Sequence, residues 1–242
     1  MSLSSQSDAL YPRPSHALGE ESQRRILCDE SHFRIYHESL IQNEQHSRFY
    51  HFPNDAFIFV LAGHAYLADS ENGLALAQYQ GCWISPTQVH KLVLLSPTLE
   101  LLVIAYQGNL APCADEHYLV NQANYRPNGM LNSIDRQTIS RINSLSIELE
   151  SYPSQQAEHL HYHRHSDQFI IALKGQLNLQ LEKQDYPIEE YDWVLVKAKQ
   201  RHQLNNPSQH KSMCLSIYSP PPAKDRVLVL KRQEPQVKTS KD

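Results

Sequence analysis

The sequence predicts an all-β protein built as two similar sandwich or barrel domains. Three observations carry this. Apolar strings of strand length follow one another at short spacing, the chain repeats itself, and histidines cluster in one of the two copies. The repeat decides the organisation. Shifted by 112 positions, residues 33–106 lie over 145–218 without a gap, with 17 identities in 74 pairs. They include Tyr50/Tyr162, His51/His163, Asp55/Asp167, Phe57/Phe169, Gly63/Gly175, Tyr79/Tyr191, His90/His202 and Tyr106/Tyr218.

Taken in order, residues 1–24 are rich in Ser, Gln, Pro and charge, and are expected to form a flexible arm. Residues 25–110 are the first β-domain. Phe33–His37 alternates, Phe57–Ala62 is a buried-strand run stopped by Gly63, and Asn72-Gly73 is a hairpin signal. Cys82–Pro86 and Leu99–Tyr106 supply further strands. Residues 111–143 form a linker. Its end is expected to be a short helix from Ser133, a capping residue, to about Asn143, with Ile134, Ile139 and Ile142 as its apolar positions. Ser144–Glu150 alternates with a period of two, so a strand opens the second domain, residues 144–219. In 220–242, Pro220–Pro222 is a stiff spacer, Val227–Leu230 reads as one more strand returning to either domain, and the rest is a charged tail.

The formal net charge is −4, which provides no general electrostatic reason to bind nucleic acid or an anionic membrane. No run has signal-peptide or membrane-spanning character, so a soluble, cytoplasmic protein is expected. Cys28, Cys82, Cys113 and Cys214 are widely spaced and read as buried thiols rather than disulfides. Nothing resembles a nucleophile elbow, a phosphate loop or a Cys-His pair.

Histidine is the outlier. There are 14, and four of them (His159, His161, His163, His165) fall within seven positions. Alternate residues of a strand share a face, so His161, His163 and His165 can aim two or three ring nitrogens at one point, as a transition metal requires.

The second half resembles the cupin family. That family's first motif is HxH, three or four residues, an acidic residue, six residues and Gly. Here His161-x-His163 is followed by four residues, Gln168, six residues and Gly175. Its second motif, PxGxxHxxxN, is matched by His202 and Asn206 within Lys197–Asn206, without the Pro and Gly, and Asp192 supplies the acid ten positions before the histidine. The resemblance implies two tandem jelly-roll barrels, and metal ligands His161, His163, Gln168 and His202 in the second. Asp167 is the rival to Gln168, which alone keeps six residues before Gly175. His165 and Asn206 could support the site or stand in for a ligand. In the first repeat His51, Gly63, Pro86 and His90 survive, with Phe49 and Ala56 at the positions of His161 and Gln168, leaving a degenerate site of His51, Asp55 and His90.

Three imidazoles and an oxygen donor suit one divalent transition metal, iron foremost, with Mn, Ni, Co or Zn as alternatives. Tyr162 and Phe169 are candidates for lining a substrate pocket, with plain core packing as the other reading. Trp83 and Trp193 read as packing. The expected function is a metalloenzyme acting on a small organic molecule, with dioxygenase-like or isomerase/lyase-like chemistry. The alternative is a non-catalytic ligand-binding or sensor protein. The first half also looks like the effector domain of AraC-type regulators, but this chain lacks their DNA-binding helices. A homodimer paired through edge strands is a further expectation.

Overall fold

A computed structural model describes residues 15–44, 46–68, 73–84, 86, 89–107, 133–222 and 224–229. The first repeat contains β1 (Ser15–Ala17), β2 (Gln23–Asp29), β3 (Phe33–Ile41), β4 (Ser47–Tyr50), β5 (Ala56–Ala62), β6 (Ala65–Ala68), β7 (Gly73–Leu76), β8 (Gly81–Ile84), β9 (His90–Leu94) and β10 (Thr98–Tyr106). The second contains β11 (Asp135–Arg141), β12 (Ser146–Tyr152), β13 (His161–His163), β14 (Asp167–Lys174) and β15 (Leu177–Leu181). It continues with β16 (Gln184–Ile188), β17 (Trp193–Val196), β18 (His202–Asn205), β19 (Ser212–Ser219) and β20 (Arg226–Leu228). All pairings are antiparallel. The sheet orders are β1-β2-β3-β10-β5-β8 with β4-β9-β6-β7, then β11-β12-β19-β14-β17 with β16-β15-β18-β13-β20. Each repeat is a two-sheet jelly roll.

One sheet of each repeat is buried on both faces. Phe57, Phe59, Leu61, Leu102 and Ile104 share a core with Phe169, Ile171, Leu173, Leu215 and Ile217 of the other repeat. Their neighbours along the strands turn the other way. Ile58, Val60 and Val103 fill the first jelly roll, and Ile170, Ala172 and Cys214 the second. A strand with two apolar environments needs apolar residues at consecutive positions, which explains the unbroken runs in β5 and β14. Polar links also cross between the repeats, among them an ion pair of Lys197 Nζ with the Glu30 carboxylate at 2.6 Å. Tyr79 donates its hydroxyl to the Leu173 carbonyl at 3.1 Å, and Trp83 Nε1 donates to Ser140 Oγ at 2.8 Å.

The strand pairings correct the gap-free alignment. Phe57 faces Ile104 and Phe169 faces Ile217, so β10 and β19 are offset by 113 and Tyr106 corresponds to Ser219. Tyr50 faces His90, whereas His161 faces His202, so β4 and β13 are offset by 111. Tyr50, rather than Phe49, therefore holds the place of His161. The identities Tyr50/Tyr162, His51/His163 and Tyr106/Tyr218 join residues that are not structurally equivalent.

The linker helix is not formed, and among the described residues there is no helix. Residues 135–141 are β11, which pairs with β12 and repeats β2 at an offset of 112, including the bulge (Ile26/Cys28 against Thr138/Ser140). Cross-strand pairing outweighs the cap and the spacing of three isoleucines. Ile139 enters the shared core and Ile134 packs into the second jelly roll. The proposed arm is likewise ordered from Ser15, where β1 folds back on β2 and the Glu44 carboxylate accepts from Ser22 N at 2.8 Å. Residues 1–14, Asn72, most of the linker with Cys113, and the tail from Leu230 lie outside the described residues. Cys28, Cys82 and Cys214 are buried thiols outside any disulfide.

Gly175 closes the turn after β14 at a φ of 72°, and a Cβ there would lie 2.7 Å from Ser212 Oγ. Gly175→Ala is expected to lower stability by about 1–3 kcal/mol in urea melts, through backbone strain and that clash. An unchanged midpoint would contradict this.

Candidate metal centre

β13 and β18 lie side by side and put His161 directly opposite His202. His163, two residues on from His161, shares its face. All three imidazoles are buried, and one ring nitrogen from each lies within 4.8 Å of the other two. On its other edge β13 pairs with β20 through His161/Leu228, Tyr162/Val227 and His163/Arg226. A three-residue strand is short, so this second neighbour adds much of what holds the histidines in register.

Backbone carbonyls orient two of the rings. His161 Nδ1 lies 2.8 Å from the His159 oxygen and His202 Nδ1 3.0 Å from the Gln200 oxygen. A neutral imidazole carries one N–H, so donation from Nδ1 leaves each Nε2 as a bare lone pair. Gln168 Oε1 stands 3.1 Å from His202 Nε2. Its own Nε2 donates to Tyr218 OH at 3.0 Å and to Ser216 Oγ at 3.2 Å. Two lone pairs thus face each other at the separation expected of neighbouring ligands. Donors about 2.1 Å from one ion and about 90° apart lie about 3 Å from each other. Neither ring nitrogen of buried His163 has a hydrogen-bond partner. Three nitrogens and an amide oxygen with unspent lone pairs fit a divalent transition metal.

The electrostatics favour neutral, ligand-ready rings. Burial, reinforced by His202 and Arg226, pushes the His161 pKa down to about 2 and that of His163 to about 4. Burial also lowers His202, against the opposing effect of its bond to Gln200. Arg226 Nη2 sits 3.2 Å from His161 Nδ1 and donates to Glu158 Oε1 at 3.1 Å. Glu158 and Glu150 in turn share Arg136.

The other site residues singled out from the sequence are spread elsewhere. Asp167 points away from the histidines, bonded to Lys197 Nζ at 2.9 Å and Ala198 N at 2.8 Å. His165 is exposed and leans on Asp225 at 2.8 Å. Asn206 is buried but holds the Tyr152, Pro153 and His210 carbonyls together. Tyr162 lies on the opposite face of β13 from the ligands, and Phe169 stacks on Trp193 in the core shared by the repeats, so neither faces the histidines. In the first repeat His51 is exposed, Asp55 half-buried and His90 buried, and among the described residues only the second repeat gathers three such groups. Tyr50, stacked on Phe52 and bonded to Glu38, takes up the space instead.

Four contributors were not singled out from the sequence: Glu150, Tyr218, Asp225 and Arg226. Glu150 did leave a signal, because Glu38/Glu150 is one of the repeat identities and Arg24/Arg136 extends it. Each pair forms an ion bridge.

A model of the cupin domain matches residues 148–218, the segment that carries His161, His163, Gln168 and His202. This segment of the chain is a cupin domain. Solved structures similar over most of its length include AerE from Microcystis aeruginosa, with a TM-score of 0.71 and 13% identity over 86% of this chain and 97% of that one. A cupin 2 conserved barrel domain protein from Leptotrichia buccalis has a TM-score of 0.63 and 12% identity, covering 84% and 91% of the two chains. The Bacillus subtilis oxalate decarboxylase, in a structure described for its Mn(II) centres, has a TM-score of 0.62 and 10% identity over 90% and 78%. At these identities the likeness shows the shared fold alone. No curated protein matches the sequence.

Proposed function

We propose that this cupin is a metal-dependent enzyme that acts on a small, oxygen-bearing organic molecule in its C-terminal jelly roll. The observation that carries the reading is the convergence of one ring nitrogen from each of the buried His161, His163 and His202 within 4.8 Å, with Gln168 Oε1 beside His202. The contrast between repeats supports it. Ala56, Val103 and Ala105 of the first interior correspond to Gln168, Ser216 and Tyr218 of the second, by the strand register. One copy has an apolar interior at these positions, and the other spends burial energy on polar groups.

A divalent metal held there would act as a Lewis acid on a substrate oxygen and stabilise negative charge developing on it. The chain's own residues do the positioning. Carbonyls of His159 and Gln200 fix two rings, the positive charge of Arg226 beside His161 disfavours its protonation, and Ile170 and Cys214 belong to the apolar core of the same jelly roll. Dioxygenase-like and isomerase/lyase-like reactions both fit such a site. The Mn(II) centres named for oxalate decarboxylase are compatible with a metal here, with iron our first choice.

The test is metal analysis of protein purified without a histidine tag, with melting curves after addition of Fe(II), Mn(II), Ni(II), Co(II) or Zn(II). We expect one metal per chain and a raised melting temperature. Absence of both would sink the proposal. Oxygen uptake with diketones, catechols, thiols or sugar acids would select the dioxygenase arm. Bound metal without turnover on any of them would favour isomerase/lyase chemistry or a ligand sensor.

A further inference from the structure

We infer that Glu150, acting through the hydroxyls of Tyr218 and Ser216, sets which end of the Gln168 amide faces the histidines, and thereby makes an amide rather than a carboxylate the fitting residue at 168. The inference rests on the metal-centre reading above and concerns positioning residues, not groups that touch substrate.

Glu150 is fully buried beside Arg136, whose Nε is 3.4 Å away. A carboxylate paired with a guanidinium offers only lone pairs. It accepts from Tyr152 OH at 2.6 Å, from Tyr218 OH at 2.9 Å, and from the Ser216 hydroxyl. A hydroxyl has a single proton. Once Tyr218 and Ser216 turn theirs to Glu150, they present only lone pairs to Gln168, and its two amide hydrogens occupy both. Oε1 is left facing His202.

The reversed amide could donate to His202 Nε2. It would, however, set Oε1 against two hydroxyl oxygens that have no proton left, in a buried site where each unmet polar group is costly. Glutamate at 168 meets the same obstacle and adds a second negative charge two hydrogen bonds from Glu150. The first repeat shows which parts travel together. It keeps the buried acid, as Glu38, held by Arg24 Nε at 2.6 Å. It has Val103, Ala105 and Ala56 where the second repeat has both hydroxyls and the amide. The relay is present where the amide is present and absent where it is absent.

The test is Co(II) titration of metal-stripped protein, reading both the dissociation constant and the visible ligand-field spectrum, with circular dichroism melts of each apo variant. We expect Glu150→Gln, and separately Tyr218→Phe with Ser216→Ala, to weaken Co(II) about 10–100-fold and alter the spectrum, as losses of a ligand's hydrogen-bond partners do. Gln168→Glu alone should bind no more tightly than the native protein. The exchanged pair Glu150→Gln/Gln168→Glu should recover affinity relative to either single change. Native affinity and spectrum in the hydroxyl-deletion variant, or tighter binding by Gln168→Glu alone, would overturn the inference while leaving the metal centre standing. If Glu150→Gln does not fold, the hydroxyl variant decides, because it retains the Glu150–Arg136 pair. No saturable binding by the native protein would overturn the metal reading itself, and this inference with it.

Discussion

His163→Ala is expected to raise the dissociation constant for a divalent transition metal by roughly 10³-fold, beyond the ~10–100-fold cost of removing a ligand's supporting partner. His51→Ala and His90→Ala should leave it unchanged. Titration with Co(II) and metal analysis after desalting both read the difference. The expectation for the stripped protein is less usual. Burying a polar side chain without partners costs free energy, and both ring nitrogens of His163 are in that state. Removing them relieves a penalty of about 1–3 kcal/mol that offsets the cavity left behind. The apo variant should therefore melt close to the native apo protein, while the metal-dependent rise in melting temperature disappears. A variant that keeps stoichiometric metal would remove His163 from the centre. An apo variant that unfolds would show the ring to be a packing residue first.

The sequence made the strands legible because they carry local, period-two or fully apolar signals, and it made the repeat legible because the copies still share their turn residues. His161, His163 and His202 were legible for a combined reason. Two alternate on one short strand, and the third sits ten positions after Asp192 in the matching half. What escaped was information held between strands. The slip of one residue at β4/β13 preserves the Tyr50/Tyr162 and His51/His163 letters while changing which residue faces inward, and only the pairing of Tyr50 with His90 exposes it. For Phe169 both pocket lining and core packing stay open in the sequence, because a run of apolar letters does not say which face is which. Its stacking on Trp193 does. Ile139 sits in an edge strand whose assignment depends on β12, its partner rather than its neighbours in sequence.

Asp225 is the clearest case of a residue with no local signal, and its removal should have the largest effect on stability. It lies beyond the proline spacer, yet it accepts hydrogen bonds from His165 N at 3.1 Å, His165 Nδ1 at 2.8 Å, Ser166 N at 3.0 Å and Ser166 Oγ at 2.8 Å. These bonds tie the chain entering β20 to the turn between β13 and β14, the turn that connects the His163 and Gln168 positions. Asp225→Ala strands the buried Ser166 N–H and is expected to cost about 3 kcal/mol. It should also weaken metal binding by loosening both ends of that turn. The carboxyl's titration supplies a second check. Burial alone would raise its pKa, but the bonds from Ser166 and His165 outweigh that and hold it well below the usual carboxylate range. A pKa lower in the folded than in the unfolded chain gives stability that is complete above about pH 4 and is lost as pH falls through the folded value. The gap between native apo protein and Asp225→Asn should thus narrow as pH falls below about 4. Urea melts in the presence of a chelator measure it, and a gap at pH 3 as wide as at pH 7 would show that Asp225 acts by shape rather than by charge.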